Sequence, residues 1–198
     1  ETSPVTNWCL PAEYRARSVG RPLPRVEQWI VDAQGNRLPA NHDGEIRMRG
    51  PNIMQGYWNL PQDTAHAFDD KGFFRSGDMG RFDKDGHLYI TGRIKEMLII
   101  AGENVFPREI EEALNHHPSV KASAVIGVAD ESRGETALAF VEINEGCAFD
   151  EATLRAHCRE HLPQFKVPRV IRARKELPRN ATGKIMRRLL SADTPGDL

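Results

Sequence analysis

The chain has 198 residues, 39% of them apolar and 28% charged, with a net charge of −1. This is ordinary globular composition, enough for one substantial core or two modest ones, and it lacks the basic footprint of a nucleic-acid binder. Three cysteines, Cys9, Cys147 and Cys158, make neither an even disulfide set nor a close ligand pair, so reduced thiols in a cytoplasmic setting are expected.

The first residues, Glu1-Thr2-Ser3-Pro4-Val5-Thr6, have no initiator methionine and no strand or helix pattern. They read as the interior of a longer chain, and they lack the charged-then-apolar pattern of a signal peptide. From about Leu23 to Arg93 short strands alternate with turns. Glu45–Gly50 and His87–Gly92 have strand patterns, and Asp32–Asn36 and Asp83–Gly86 are turns. A short helix is expected from Pro61 to Phe68, with Ala65 and Phe68 on one side.

After Lys95 strands and helices alternate, so a boundary is expected near Gly92 to Glu96. Met97–Ile100 reads as a buried strand; continued to Ala101 it is the longest apolar run and far too short to span a bilayer, although peripheral membrane contact stays open. Pro107–Leu114 reads as a helix with Ile110, Ala113 and Leu114 on one face. Strands are expected over Ala122–Val128, Thr136–Ile143 and Val167–Arg172. Asp150 is placed to cap a helix bearing Leu154, Cys158 and Leu162, which Pro163 stops, and a last helix is expected over Ile185–Leu190. His157 and His161 stand four apart beside Cys158, as zinc ligands often do, but no further ligand pair completes a site. His116 and His117 suit a helix end, where a partly protonated imidazole meets the negative end of the dipole.

The tail holds the most distinctive stretch, Pro178-Arg179-Asn180-Ala181-Thr182-Gly183-Lys184-Ile185-Met186-Arg187-Arg188. Asn180 and Gly183 tolerate unusual backbone angles, so a turn can hold Lys184 outward as a cation for a carboxylate meeting a phosphate. A solvated basic tail fits the same residues.

Three upstream segments bear on that choice: Asp43-Gly44-Glu45-Ile46-Arg47-Met48-Arg49-Gly50 followed by Gln55-Gly56-Tyr57-Trp58; Phe74-Arg75-Ser76-Gly77-Asp78; and Gly92-Arg93-Ile94-Lys95-Glu96 continuing through Ala101-Gly102-Glu103-Asn104-Val105 to Glu109-Ile110-Glu111. With the lysine turn, in this order and spacing, they resemble the adenylate-forming superfamily over nearly the whole chain. The stretch Ala101–Pro107 is similar to the acyl-CoA ligase branch. The resemblance implies an α+β fold in which residues 1–92 are a β-rich, distorted barrel-like subdomain ending the large AMP-binding domain. Residues 93–96 would be a hinge, 97–191 a small mobile domain with a short mixed sheet flanked by helices, and 192–198 a tail.

The implied chemistry joins a carboxylate, expected to be a fatty acid, to ATP with loss of pyrophosphate, and then passes the acyl group to CoA with release of AMP. Lys184 matches the adenylation lysine. At about 4 Å and an effective dielectric near 20, one such charge pair is worth roughly 4 kcal/mol, on the order of 10³ in rate if concentrated in the transition state. Asp78 matches the residue that accepts the ribose hydroxyls, and Arg93 an arginine near the ribose and phosphates. Lys95 falls at the hinge about which the small domain rotates between half-reactions. Gly102, Glu103 and Asn104 match the wall of the CoA pantetheine tunnel, and Glu1 matches a glutamate that helps hold Mg2+.

The phosphate loop, adenine pocket and acyl pocket precede this region in such enzymes, so these residues alone are expected to be inactive. Two other readings remain: an acyl carrier protein as acceptor, met by Arg169, Arg172, Arg174 and Lys175, which could equally hold the CoA 3′-phosphate, and a non-catalytic module acting with a partner chain. Neither the acyl substrate nor the oligomeric state is legible.

Overall fold

The computed structural model describes residues 1–193 and 196, so the expected tail lies mostly outside the described residues. Two compact units, Glu1–Lys95 and Glu96–Leu198, divide the chain.

In the first unit β1 (Asn7–Trp8) pairs with β2 (Arg21–Pro22). A four-stranded antiparallel meander follows, formed by β3 (Glu27–Val31), β4 (Gly44–Arg49), β5 (Phe74–Phe82) and β6 (Leu88–Arg93), with helix α1 (Pro61–Ala67) between β4 and β5. Alternation sends Ile46 and Met48 to the core with Ile30, Phe74 and Leu88. The buried Arg47 between them is neutralised by Glu45 at 3.1 Å and Asp69 at 2.8 Å. Both expected turns form, each around an aspartate that accepts backbone amides two and four residues on: Asp32 from Gln34 and Asn36, and Asp83 from Asp85 and His87.

Two expectations need correction here. The strand path β3-β4-β5-β6 runs from one end to the other without closing, so the sheet is open and not barrel-like. On α1, Ala67 and Phe68 pack on the core while Ala65 is exposed. Phe68 has already left the helix, at φ −119° and ψ 152°, so helical spacing no longer places it beside Ala65.

The second unit opens with β7 (Leu98–Ile100), β8 (Glu103–Val105) and α2 (Pro107–Asn115). It continues with β9 (Val120–Asp130), β10 (Gly134–Ile143), α3 (Glu151–His161) and β11 (Val170–Ala173). Its five-stranded sheet runs β11-β10-β7-β8, with β9 also paired to β10; the β10–β11 pair is parallel and the others antiparallel, so the sheet is mixed as expected. Ala139 and Val141 of β10 face α2 and α3 through Ile110, Leu114, Leu154 and Cys158. Leu138 and Phe140 face the other way, under Leu177, Ile185 and Leu190 of the tail. Both faces are covered, which is why β10 reads as one apolar run.

Asp150 caps α3, accepting the amides of Ala152 at 2.9 Å and Thr153 at 3.3 Å. β7 departs from expectation: Leu98 and Ile100 are buried but Ile99 is 52% exposed. The expected last helix reduces to a single 3-10 turn at Arg187–Leu189. Six residues are too few to repay helix nucleation, and here Ile185 and Leu190 pack on the sheet while ion pairs draw in Arg187. Among the described residues no helix is long and apolar enough to cross a membrane.

Candidate functional site

In the first unit the β5–β6 hairpin sets Asp78 opposite Arg93, and Arg93 Nε and Asp78 Oδ1 form an ion pair at 2.8 Å. A bulge between Met79 and Gly80 produces this pairing; the register of Gly80 with Ile90 would otherwise carry Asp78 to Gly92. The Asp78 amide donates to Ser76 Oγ at 3.0 Å, and Ser76 Oγ donates to the Ile46 carbonyl at 2.6 Å, so the carboxylate stands on a braced stretch of β5. Glu1, Ser76, Asp78 and Arg93 border one cavity of about 400 Å³. Glu1, Tyr57, Ser76 and Lys95 border a second of about 580 Å³. Glu1 belongs to both, and its carboxylate accepts the Tyr57 hydroxyl at 2.6 Å, a bond that raises the Tyr57 pKa above its ordinary value.

In the second unit Gly102, Glu103 and Asn104 lie exposed on the β7–β8 hairpin. Its two-residue turn, Ala101-Gly102, has φ of +53° and +84°. This is the left-handed pair that fits the twist of a tight hairpin. A separate cavity of about 230 Å³ is lined by Arg133, Arg155, Arg159 and Arg169. Two of these guanidiniums are already paired, Arg155 with Glu151 and Arg169 with Asp130. Of the other basic residues singled out earlier, Arg172 donates to the Ala192 carbonyl at 2.6 Å.

Lys184 sits on a hairpin closed by the Arg179–Ile185 bridge, with the Asn180 amide donating to the Lys184 carbonyl at 2.9 Å. Asn180 Oδ1 accepts the amides of Thr182 (3.1 Å) and Lys184 (2.9 Å) and the Thr182 hydroxyl (2.8 Å), while Gly183 takes φ +83°. The backbone is therefore fixed while the side chain is exposed, and among the described residues the Lys184 ammonium has no hydrogen-bond or ion-pair partner.

Two buried carboxylates mount this hairpin on the unit. On the incoming side Glu142 of β10 accepts the Leu177 amide at 2.7 Å and Arg179 at 3.0 Å. Burial opposes its ionisation, but the Leu177 amide, Arg179 and Lys121 outweigh it and hold its pKa below the ordinary value. On the outgoing side Arg187 forks onto Glu111 of α2, at 2.7 Å and 2.6 Å, and reaches Glu96 at 2.8 Å. Glu111 also accepts the Val125 amide at 2.8 Å.

Residues 109–184 match the AMP-binding enzyme C-terminal domain, and residues 1–58 match the AMP-binding enzyme family. The chain belongs to the adenylate-forming, AMP-binding enzymes. It corresponds to their C-terminal portion. A long-chain-fatty-acid–CoA ligase of Bacillus subtilis (strain 168) is 42% identical over 195 residues, 96% of this chain and 34% of the relative. An o-succinylbenzoate CoA synthetase from Bacillus subtilis, solved with its acyl-adenylate intermediate, matches with a TM-score of 0.84 and 32% identity, over 93% of this chain and 37% of that one. An amide bond synthetase from Marinactinospora thermotolerans matches with a TM-score of 0.81 and 41% identity, over 85% and 35%. The chain thus spans about a third of the length of the relatives it matches.

Of the residues singled out in the sequence, the fold gathers Glu1, Asp78 and Arg93 around one cavity of the first unit and places Lys95 at its neighbour. It sets Lys184 and the Gly102 hairpin on the second unit. Sequence reasoning missed Glu111, Glu142 and Arg187 as the mounts of the lysine hairpin. A signal existed for Glu142, an acid inside the apolar run Thr136–Ile143, and none for Glu111, one step off the apolar stripe of α2.

Proposed function

We propose that these residues are the C-terminal portion of an ATP-dependent acyl-CoA ligase acting on a carboxylic acid in the cytoplasm. A carboxylate oxygen attacks the α-phosphorus of ATP; the new P–O bond forms as the bond to pyrophosphate breaks. The CoA sulfur then attacks the acyl carbonyl, AMP leaves, and the thiol proton passes to solvent. The observation that carries this reading is the unpaired Lys184 ammonium on a hairpin fixed by Asn180 and by two buried carboxylates. A cation carried on a fixed backbone and desolvated only when substrate arrives suits the meeting of two anions.

In this reading Lys184 supplies charge to the adenylation transition state, and Asp78, fixed by Arg93, accepts the ribose hydroxyls. Lys95 takes up the dihedral change of a rotating small domain. Gly102, Glu103 and Asn104 line the path of the thiol arm, and the cavity lined by four arginines offers positive charge to CoA phosphates. Glu1 fits a share in holding Mg2+: it presents one carboxylate, with one oxygen taken by Tyr57, and the ion commonly takes one or two carboxylates beside substrate phosphates. When bound, the ion neutralises phosphate charge.

The test is AMP release by the full-length protein over a panel of acids, with fatty acids first because of the Bacillus subtilis fatty-acid ligase relative. Release that requires both acid and CoA is expected; release driven equally by an amine or a carrier protein in place of CoA would overturn the choice of acceptor. The 198 residues alone, a third of the length of these relatives, are expected to show no carboxylate-dependent pyrophosphate exchange.

A further inference from the structure

The end of α3 carries a cluster that the adenylation reading does not use. His157, Glu160 and His161 stand at i, i+3 and i+4, hence on one face of the helix. One ligand atom from each lies within 4.8 Å of the others, and the two imidazole centroids are 4.2 Å apart. His157 Nε2 faces the Ala113 carbonyl at 3.0 Å, and His161 Nδ1 faces the His157 carbonyl at 2.8 Å. A carbonyl only accepts, so each of those nitrogens carries the ring proton. The lone pairs are then left on His157 Nδ1 and His161 Nε2. A ring N–H tied to a backbone carbonyl is the outer arrangement that fixes tautomer and orientation in metal-ligating histidines.

We propose that His157, Glu160 and His161 bind a divalent transition-metal ion of the zinc type. Two imidazoles and a carboxylate suit Zn2+, Ni2+ or Cu2+, whereas Mg2+ and Ca2+ prefer all-oxygen sets. Ligand bonds of about 2.0–2.2 Å require the three atoms to draw somewhat closer together. Glu160 is exposed, so its carboxylate can swing toward the two rings. A fourth position stays open to water. His117 is excluded from the set, although its ring lies 5.1 Å from that of His157. Its Nδ1 accepts the Ser119 amide at 3.3 Å, which leaves the proton on Nε2. Cys158 is excluded too, because it points into the core and burial pushes its thiol up to about 11. The bound ion ties down the last turn of α3, where His157 reaches across to α2.

Calorimetry with ZnCl2 on the full chain tests this, with Cys9→Ser and Cys147→Ser in every protein so that exposed thiols do not compete. One equivalent of zinc is expected to bind and to raise the thermal midpoint, with no competition from Mg2+. His161→Ala and Glu160→Gln, both at exposed positions, should each weaken binding at least tenfold without lowering the metal-free midpoint. No zinc binding in the parent, equal binding in His161→Ala, or displacement by Mg2+ would each overturn the site.

Discussion

Asn180 decides whether the Lys184 turn has one shape or several, because its carboxamide accepts two amides and a hydroxyl from within the turn. Asn180→Ala should loosen the hairpin at a cost of about 1 kcal/mol, slow adenylation in the full-length enzyme and lower the thermal midpoint by only a few degrees. A large midpoint loss would instead make the turn a structural element. The three thiols divide just as clearly. Cys9 and Cys147 are exposed, while burial raises the Cys158 pKa to about 11. A disulfide reagent at neutral pH should therefore titrate two thiols in the native chain and the third only on unfolding. At this scale the turn that carries Lys184 is legible in the sequence, since a proline, an asparagine and a glycine mark it. It hides Glu111, because a helix of period 3.6 shows which positions are apolar and not which charged neighbour folds inward to meet a residue 76 positions later.

Between α2 and the tail, the fork of Arg187 onto Glu111 is the joint that substitutes for the missing last helix. Arg187→Met leaves a buried carboxylate without its cation, which should cost about 3–5 kcal/mol. Arg187→Met with Glu111→Gln should recover more than half of that loss in chemical denaturation, because the uncompensated charge is gone. A double variant whose loss equals the sum of the two single losses would show that the pair carries no coupling. The elements themselves were largely readable. α2 and α3 are marked by proline or aspartate starts and by apolar steps of three and four, and β9 and β10 by apolar runs. Two of the failures share one physical cause: the tail after Lys184 and the end of α1 are settled by tertiary contacts of Ile185, Leu190 and Phe68, which outweigh weak local preference in segments of six or seven residues.

Over the whole molecule, acid should act through carboxylates that are ionised only because the fold pairs them. Glu142 has its folded pKa held below the unfolded value of 4.5. Its contribution is thus complete above about pH 4.5 and is lost as pH falls through the folded value. Glu142→Gln should lower stability at neutral pH and make the acid limb of the stability curve shallower; an unchanged limb would remove Glu142 from the account. The open sheet of the first unit corrects the barrel-like expectation, since alternating strands and turns are legible locally whereas closure depends on how the edge strands meet. The central claim is that Lys184 acts in adenylation and not in thioester formation. In the full-length enzyme Lys184→Ala should depress adenylate formation by a factor on the order of 10³ while largely sparing conversion of supplied acyl-adenylate to the CoA thioester. Equal loss in both half-reactions would contradict it.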